Sequence, residues 1–97
     1  MANAITGTPE ETRKSAVLES RIKIGGTIRT IRENRALSQE QLAEKMNISR
    51  STISKIESGK FNCSIDYLWK FGYVLQFEVV LQEYPNDLHN AVIPLNG

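Results

Sequence analysis

Residues 37–59 read LSQEQLAEKMNISRSTISKIESG and predict two short helices joined by a tight turn. Ser38, followed three residues later by Gln41, is a capping pattern in which each side chain satisfies a free amide at the start of a helix. Asn47 follows where the chain must turn, and asparagine tolerates the left-handed conformation better than most residues do. The local signals therefore place a helix start at Ser38 and a turn at Asn47.

The second helix of the pair begins at Ser49 or Arg50 and ends at Gly59, which is a glycine C-cap. Ile53 and Ile56 have the spacing of residues that face inward. The short join between the helices leaves no room for an antiparallel return, so we expect the two helices to cross at a steep angle. One of them must then project from the domain.

The outward side of this second helix carries hydrogen-bonding and basic side chains. When the isoleucines point inward, the residues left outside are Arg50, Ser51, Ser54 and Lys55. Small hydroxyl residues permit a close approach, and the two long basic side chains can reach the acceptor atoms of guanine in the major groove of DNA. The alternative is an ordinary solvated helix surface, on which serine, arginine and lysine are common.

The sequence of residues 37–43 and 48–59 closely resembles the Xre family of phage repressor and Cro-like DNA-binding domains, over roughly residues 24–75. The resemblance implies a mainly α, compact four- to five-helix repressor-like domain. It also implies a sequence-specific transcription regulator, most often a repressor and in some cases an autoregulator. Such a protein binds a roughly palindromic site in double-stranded DNA and needs no cofactor.

The resemblance also assigns roles to individual residues. Gln39 corresponds to the glutamine that holds a DNA phosphate at the start of the first motif helix, where free amides also favour an anion. The implied base contacts are Arg50, Ser51 and Lys55. The implied further phosphate contacts are Thr52, Ser54, Lys60 and Asn62.

Three other positions match structural features of the family. Arg32 and Glu57 correspond to an ion pair between the first helix and the end of the recognition helix. Ala43 corresponds to a small residue where the two motif helices pack closely. Asn47 is a departure, since the family often has glycine there.

The N-terminal part, residues 1–20, is predicted as a tail and a helix that begins with Thr8 as cap and Pro9 at the first helical position. A helical stripe of Ile24, Ile28 and Ile31 then opens the domain proper, residues 21–75. The pair Gly25-Gly26 lies between these elements, and the pattern leaves open whether they form one helix or two.

Beyond residue 64 the pattern changes from helical to alternating. Ser64 caps a helix that is expected to end near Phe71, with Ile65, Leu68 and Leu75 on its inner stripe. Residues 76–83 then alternate apolar and polar side chains, as a β-strand does. A lone strand leaves its backbone groups unpaired, so we expect it to pair with the same strand of a second copy. The predicted homodimer contacts are Leu75, Phe77, Val79 and Leu81.

Composition limits the remaining possibilities. A chain of 97 residues closes one modest core, and its net charge of +1 conceals a basic centre, because residues 21–60 contain nine basic and four acidic side chains. No stretch is long and apolar enough to span a membrane, so a cytoplasmic protein is expected. Residues 84–97 are predicted to be a loose tail, in which His89 is a solvent-exposed histidine.

Other function classes are weaker. One cysteine, Cys63, and one histidine supply neither a catalytic constellation nor a closed metal site, so neither an enzyme nor a metalloprotein is expected. A pairing terminal strand resembles Hip-type antitoxins, which leaves a toxin as a partner. The last alternative is a protein-binding module without DNA. Most of the following aromatics are expected in the core, with Trp69 as the exception near a dimer contact: Phe61, Tyr67, Trp69, Phe71, Tyr73 and Phe77.

Overall fold

The structure, a computed structural model, describes residues 8–85. These residues form four helices, α1 Pro9–Asn34, α2 Gln39–Met46, α3 Arg50–Glu57 and α4 Ile65–Leu75. The expectation of a mainly helical domain is confirmed. The predicted His89, like most of the predicted tail, lies outside the described residues.

Helix α1 settles the question that the sequence left open, because it runs through Gly25-Gly26 as one helix of 26 residues. Thr8 caps it, accepting a 3.1 Å hydrogen bond from the amide of Glu11, whose carboxylate accepts a 3.0 Å bond from the Thr8 amide. The helix therefore crosses the predicted boundary between residues 20 and 21.

The core lies where α1, α2, α3 and α4 meet. Its buried apolar side chains are Ile28, Leu42, Ala43, Ile53, Ile56, Phe71 and Leu75. Burial of one large aliphatic or aromatic side chain contributes about 1.5–3 kcal/mol. Partly buried apolar side chains from α1, α2, α4 and the connecting loops pack around this cluster and add to the core. Ile24 is an exception to the predicted stripe, since it is 41% exposed and Gly25 occupies the buried position beside it.

Helix α4 begins as predicted, with Ser64 accepting a hydrogen bond from the amide of Tyr67, but it continues past Phe71 to Leu75. The predicted helix end near Phe71 was therefore wrong, because Leu75 is the last helical residue. Its side chain is fully buried in the core of its own chain, so it is not available for the predicted dimer contact. Ile65 is exposed, which also contradicts the predicted stripe.

The aromatic residues are less buried than expected. Phe71 is fully buried, and Tyr67 and Phe77 pack against the core. Trp69 is exposed as predicted, whereas Phe61 and Tyr73 are exposed although they were expected in the core. For Trp69 and Tyr73 the spacing of α4 explains the exposure, since they lie away from the helix face that contains Phe71 and Leu75. Phe61 lies in the loop before the helix.

Residues 77–85 form neither helix nor strand within the described part of the chain. Gln76 adopts the left-handed conformation at the end of α4, and the Phe77 amide donates a 3.0 Å hydrogen bond to the Gly72 carbonyl. The Phe77 ring then lies against Gly72, where an added Cβ would come within 3.3 Å of it. The predicted strand, and its pairing across a dimer, therefore stay a prediction, because a strand formed between two copies needs the second copy.

Arg35 joins the end of α1 to the end of α4. Its guanidinium donates hydrogen bonds of 2.8 and 3.1 Å to the carbonyls of Leu75 and Gln76. These carbonyls lack partners in the helix itself, so a cation is favourable at this position. The next residue, Ala36, has a positive φ of 60°, which nothing in the sequence signals.

Candidate DNA-binding surface

Helices α2 and α3 are defined by short-range contacts. The Gln41 amide donates a 3.0 Å hydrogen bond to the Ser38 hydroxyl, and the Ser38 amide donates one of 2.8 Å to the Gln41 side chain. Asn47 ends α2 in the left-handed conformation, with φ 56°. Ser49 then caps α3 by accepting a hydrogen bond from the Thr52 amide. The predicted cap at Ser38 and turn at Asn47 are confirmed. Of the two starts that the sequence allowed for α3, the structure has Arg50 as the first helical residue.

The inner side of α3 is apolar and its outer side is polar. Ile53 and Ile56 are buried in the core, beside the buried Ala43 of α2. The exposed side chains of α3 are Arg50, Ser51, Ser54 and Lys55. The predicted base-contacting residues therefore share one exposed helix face, while Thr52 is half-buried and its hydroxyl lies 2.8 Å from that of Ser49.

The loop that follows α3 extends the exposed basic surface. Lys60 and Asn62, the two predicted backbone contacts of this loop, are both exposed. Gly59 turns the chain with a positive φ of 81°, and an added Cβ there would lie 2.7 Å from the Ile22 side chain of α1. The loop is thus fixed against α1 directly after the helix.

Glu57, the one acidic residue in residues 49–62, is removed from this surface by an ion pair. The Arg32 guanidinium donates hydrogen bonds of 2.7 and 3.1 Å to the two carboxylate oxygens of Glu57. Both side chains are almost fully buried, and a third donor nitrogen of Arg32 bonds the Leu37 carbonyl at 2.7 Å. The hydrogen bond to Glu57 raises the pKa of Arg32 above its ordinary value, although burial acts in the opposite direction.

This arrangement gives the surface its charge. The exposed charged residues of residues 49–62 are Arg50, Lys55 and Lys60, all positive. Within residues 8–85 the ion pairs join Arg29 to Glu33 and Arg32 to Glu57, so none of these three cations is neutralised by a neighbour. Exposed carboxylates near this segment include those of Glu40 and Glu44 of α2, which line a shallow cavity together with Arg50. The excess of positive charge on α3 and its following loop favours contact with phosphate.

Gln39 is connected to the same buried carboxylate. It is the first residue of α2 and half-buried, and its Nε2 donates a 3.0 Å hydrogen bond to Oε1 of Glu57. The amide has a second hydrogen on that nitrogen, which stays available to an acceptor such as a phosphate oxygen. Sequence reasoning placed Gln39 at the phosphate and Glu57 in the ion pair, but missed the contact between them, because no local pattern links residues so far apart.

Gly25 is the other residue whose role the sequence did not reveal. It is buried where α1 crosses the end of α3, and an added Cβ would collide with the Ile56 carbonyl oxygen and lie 2.7 Å from that of Glu57. Its position three residues before Ile28 on the buried face was a signal that could have identified this close contact.

The described residues offer little support for other chemistry. No group of three metal-ligating side chains occurs in residues 8–85. Burial raises the pKa of the Cys63 thiol, which keeps it protonated and less reactive at neutral pH. None of the helices described is both long and apolar enough to cross a membrane.

Comparison with known proteins agrees with this geometry. Residues 28–72 match a family model described as helix-turn-helix. Over 45 residues, 46% of this chain, the sequence is 47% identical to the immunity repressor protein of Bacillus phage phi105. The match covers 31% of that repressor, so this chain spans about a third of its relative's length. All the predicted DNA-contacting residues lie within the range of the family match.

Proposed function

We propose that this chain, whose residues 28–72 match a helix-turn-helix model and which resembles part of a phage immunity repressor, is a sequence-specific DNA-binding transcription regulator that acts as a repressor. The observation that supports this proposal best is the exposed face of α3 and its following loop, on which every charged side chain is positive. The buried pair of Arg32 and Glu57 removes the one local carboxylate from that face.

In this proposal α3 lies in the major groove and reads base edges. Arg50 stands at the first turn of the helix, and Lys55 follows on the same exposed side. Both are long donors that match the two acceptor atoms of guanine, while Ser51 is short enough to let the helix approach. Each good base contact of this kind contributes about 1–3 kcal/mol of discrimination.

Phosphate contacts set the position of the domain on the duplex without reading sequence. Gln39 would donate from the second hydrogen of its amide nitrogen while the first stays on Glu57. The remaining proposed phosphate contacts are Thr52, Ser54, Lys60 and Asn62. The Thr52 hydroxyl lies 2.8 Å from that of Ser49 and must break this hydrogen bond before it can bind a phosphate oxygen. We therefore expect Thr52 to contribute least among the phosphate contacts.

The regulator would act as a homodimer on a roughly palindromic site. Two recognition helices about 34 Å apart would contact successive major grooves. We assign the dimer contact to residues 76–83, which pair antiparallel with the same residues of a second copy through Phe77, Val79 and Leu81. Occupation of a promoter by such a dimer would repress transcription, including that of its own gene.

The decisive test is recovery of bound fragments from sheared genomic DNA at near-physiological salt, followed by sequencing. Enrichment of a few fragments with a shared two-fold-symmetric sequence is expected. A uniform profile at the same salt would remove the claim of sequence specificity and direct the search to a protein partner, of which a toxin is one kind.

Two variants separate base reading from positioning on the recovered site. Arg50→Ala is expected to reduce the preference for the correct base at its position by about tenfold or more, whereas Gln39→Ala weakens all sites by similar factors. Competition binding, in which single-base variants of the recovered site compete with the original site, measures the base preference and the overall affinity of each protein variant. Unchanged base preferences in Arg50→Ala would contradict the proposed role of this residue.

A further inference from the structure

The outer face of α4 is an exposed apolar surface that the proposed DNA contacts do not use. Trp69 and Tyr73 lie one turn apart and are 63% and 81% exposed. A groove of about 300 Å³ runs on one side of these two rings, and its other walls are formed by Lys45, Met46, Lys70 and Val74. Aromatic side chains left this exposed are typical of interaction surfaces.

The segment after α4 is a second exposed apolar feature of the chain. Val80 and Leu81 are 70% and 98% exposed, so most of the apolar surface of these two side chains is in contact with solvent in a single chain. The segment has two acidic residues, Glu78 and Glu83, and no basic residue. The groove beside Trp69 carries the opposite charge on Lys45 and Lys70.

The geometry of the segment indicates that it contacts α4 of the second copy and not α4 of its own chain. Phe77 is held against Gly72 of its own helix, so the segment starts at the end of its own α4. In an antiparallel pair, the far end of one strand lies beside the start of the other. Residues 78–83 extend for about 20 Å, which is enough to reach from one helix to its counterpart.

We propose that the aromatic face of α4, formed by Trp69 and Tyr73, is the docking site for residues 81–83 of a second copy of this chain. Leu81 of the second copy packs on the two rings, and its Glu83 lies near Lys70. This proposal rests on the homodimer of the proposed function. It adds the α4 surface on which the C-terminal end of each paired segment packs. It explains why both features stay exposed in one chain and why their charges are opposite.

Trp69 supplies the measurement, because it is the one tryptophan of the chain. Its emission is recorded while the full-length protein is diluted from micromolar to nanomolar concentration, and sedimentation velocity follows the dimer in parallel. The emission maximum is expected to move to longer wavelength as the dimer dissociates. A protein that stays monomeric, or a dimer whose dissociation leaves the emission unchanged, overturns the proposal.

Two exposed positions test the packing contact without touching the core of the domain. Tyr73→Glu and Leu81→Asp are each expected to weaken dimerisation by roughly thirtyfold or more, as loss of a central interface contact does. Leu18→Glu, at a half-exposed apolar position of α1, is the matched control and keeps the wild-type dimer. Far-UV circular dichroism of each variant confirms that the helices are intact.

A charge exchange tests the direction of docking. Lys70→Glu alone and Glu83→Lys alone should each weaken the dimer a few-fold, and the double variant should recover most of the loss. Absence of recovery overturns the placement of Glu83. If these results hold while genomic DNA shows no enriched site, the dimer stands and the proposed function fails. If the protein is site-specific but Tyr73→Glu leaves its dimer unaffected, the proposed function stands and the docking site fails.

Discussion

Between Ser38 and Gly59 the chain is held by contacts with nearby residues, whereas residues 78–85 make no hydrogen bond in the described part of the chain. The first region has two capped helices, a left-handed turn residue and four core side chains. The second has an apolar pattern of similar clarity but exposes it. In this chain an apolar pattern therefore gives a defined structure where its apolar side chains can pack against other helices of the same chain. No apolar side chain of residues 78–85 is among those that pack against the core.

The largest expected effect is loss of the buried ion pair that joins α1 to α3. Arg32→Met leaves the Glu57 carboxylate buried with only Gln39 as donor, which should cost about 3–5 kcal/mol of the free energy of unfolding. Arg29→Met is the matched control, because Arg29 pairs with Glu33 in solvent and such pairs contribute at most about 1 kcal/mol. Urea unfolding followed by circular dichroism measures both, and similar losses would show that burial of the pair is unimportant.

The second prediction compares the two regions directly. Ile53→Ala removes a fully buried side chain between α2 and α3 and should cost about 2–5 kcal/mol. Leu81→Ala shortens an almost fully exposed side chain, so at concentrations where the chain is monomeric its cost should stay within about 0.5 kcal/mol. A large loss for Leu81→Ala in the monomer would mean that residues 78–85 already pack within one chain.

This comparison also explains how much could be predicted from the sequence. Caps and turns depend on residues a few positions apart, so Ser38, Asn47 and Ser64 were placed correctly and the start of α3 was predicted to within one residue. The end of α4 was misplaced because Leu75 fits both a helical and an alternating pattern, and only the core shows which one it follows.

The candidate site divides in the same way. Exposure of Arg50, Ser51 and Lys55 followed from the burial of their isoleucine neighbours, which is a property of one helix. The hydrogen bond between Gln39 and Glu57, and the contact of Gly25 with the end of α3, join residues that are distant in sequence. Such contacts depend on how helices pack, and no spacing rule contains them.

A smaller effect is expected at the turn between α1 and α2, where Ala36 adopts a positive φ of 60°. The left-handed conformation costs a residue with a Cβ about 1–2 kcal/mol, and glycine avoids that cost. Part of the gain is lost because glycine also has more freedom in the unfolded chain. Ala36→Gly should therefore stabilise the domain by about 0.5–1 kcal/mol in urea unfolding, and a loss of stability would contradict the strain assigned to this turn.

The smallest effect is expected for glycine in place of Asn47, the corresponding left-handed residue of the helix-turn-helix, with φ 56°. Asparagine already tolerates this conformation, so Asn47→Gly should change the free energy of unfolding by less than about 0.5 kcal/mol, while Asn47→Ala loses about 1 kcal/mol. Comparison of Asn47→Gly with Ala36→Gly shows how the native side chain changes the cost of a positive φ, because the two residues have nearly the same φ. A gain in stability for Asn47→Gly as large as that for Ala36→Gly would show that asparagine relieves none of the strain of the left-handed conformation at this turn.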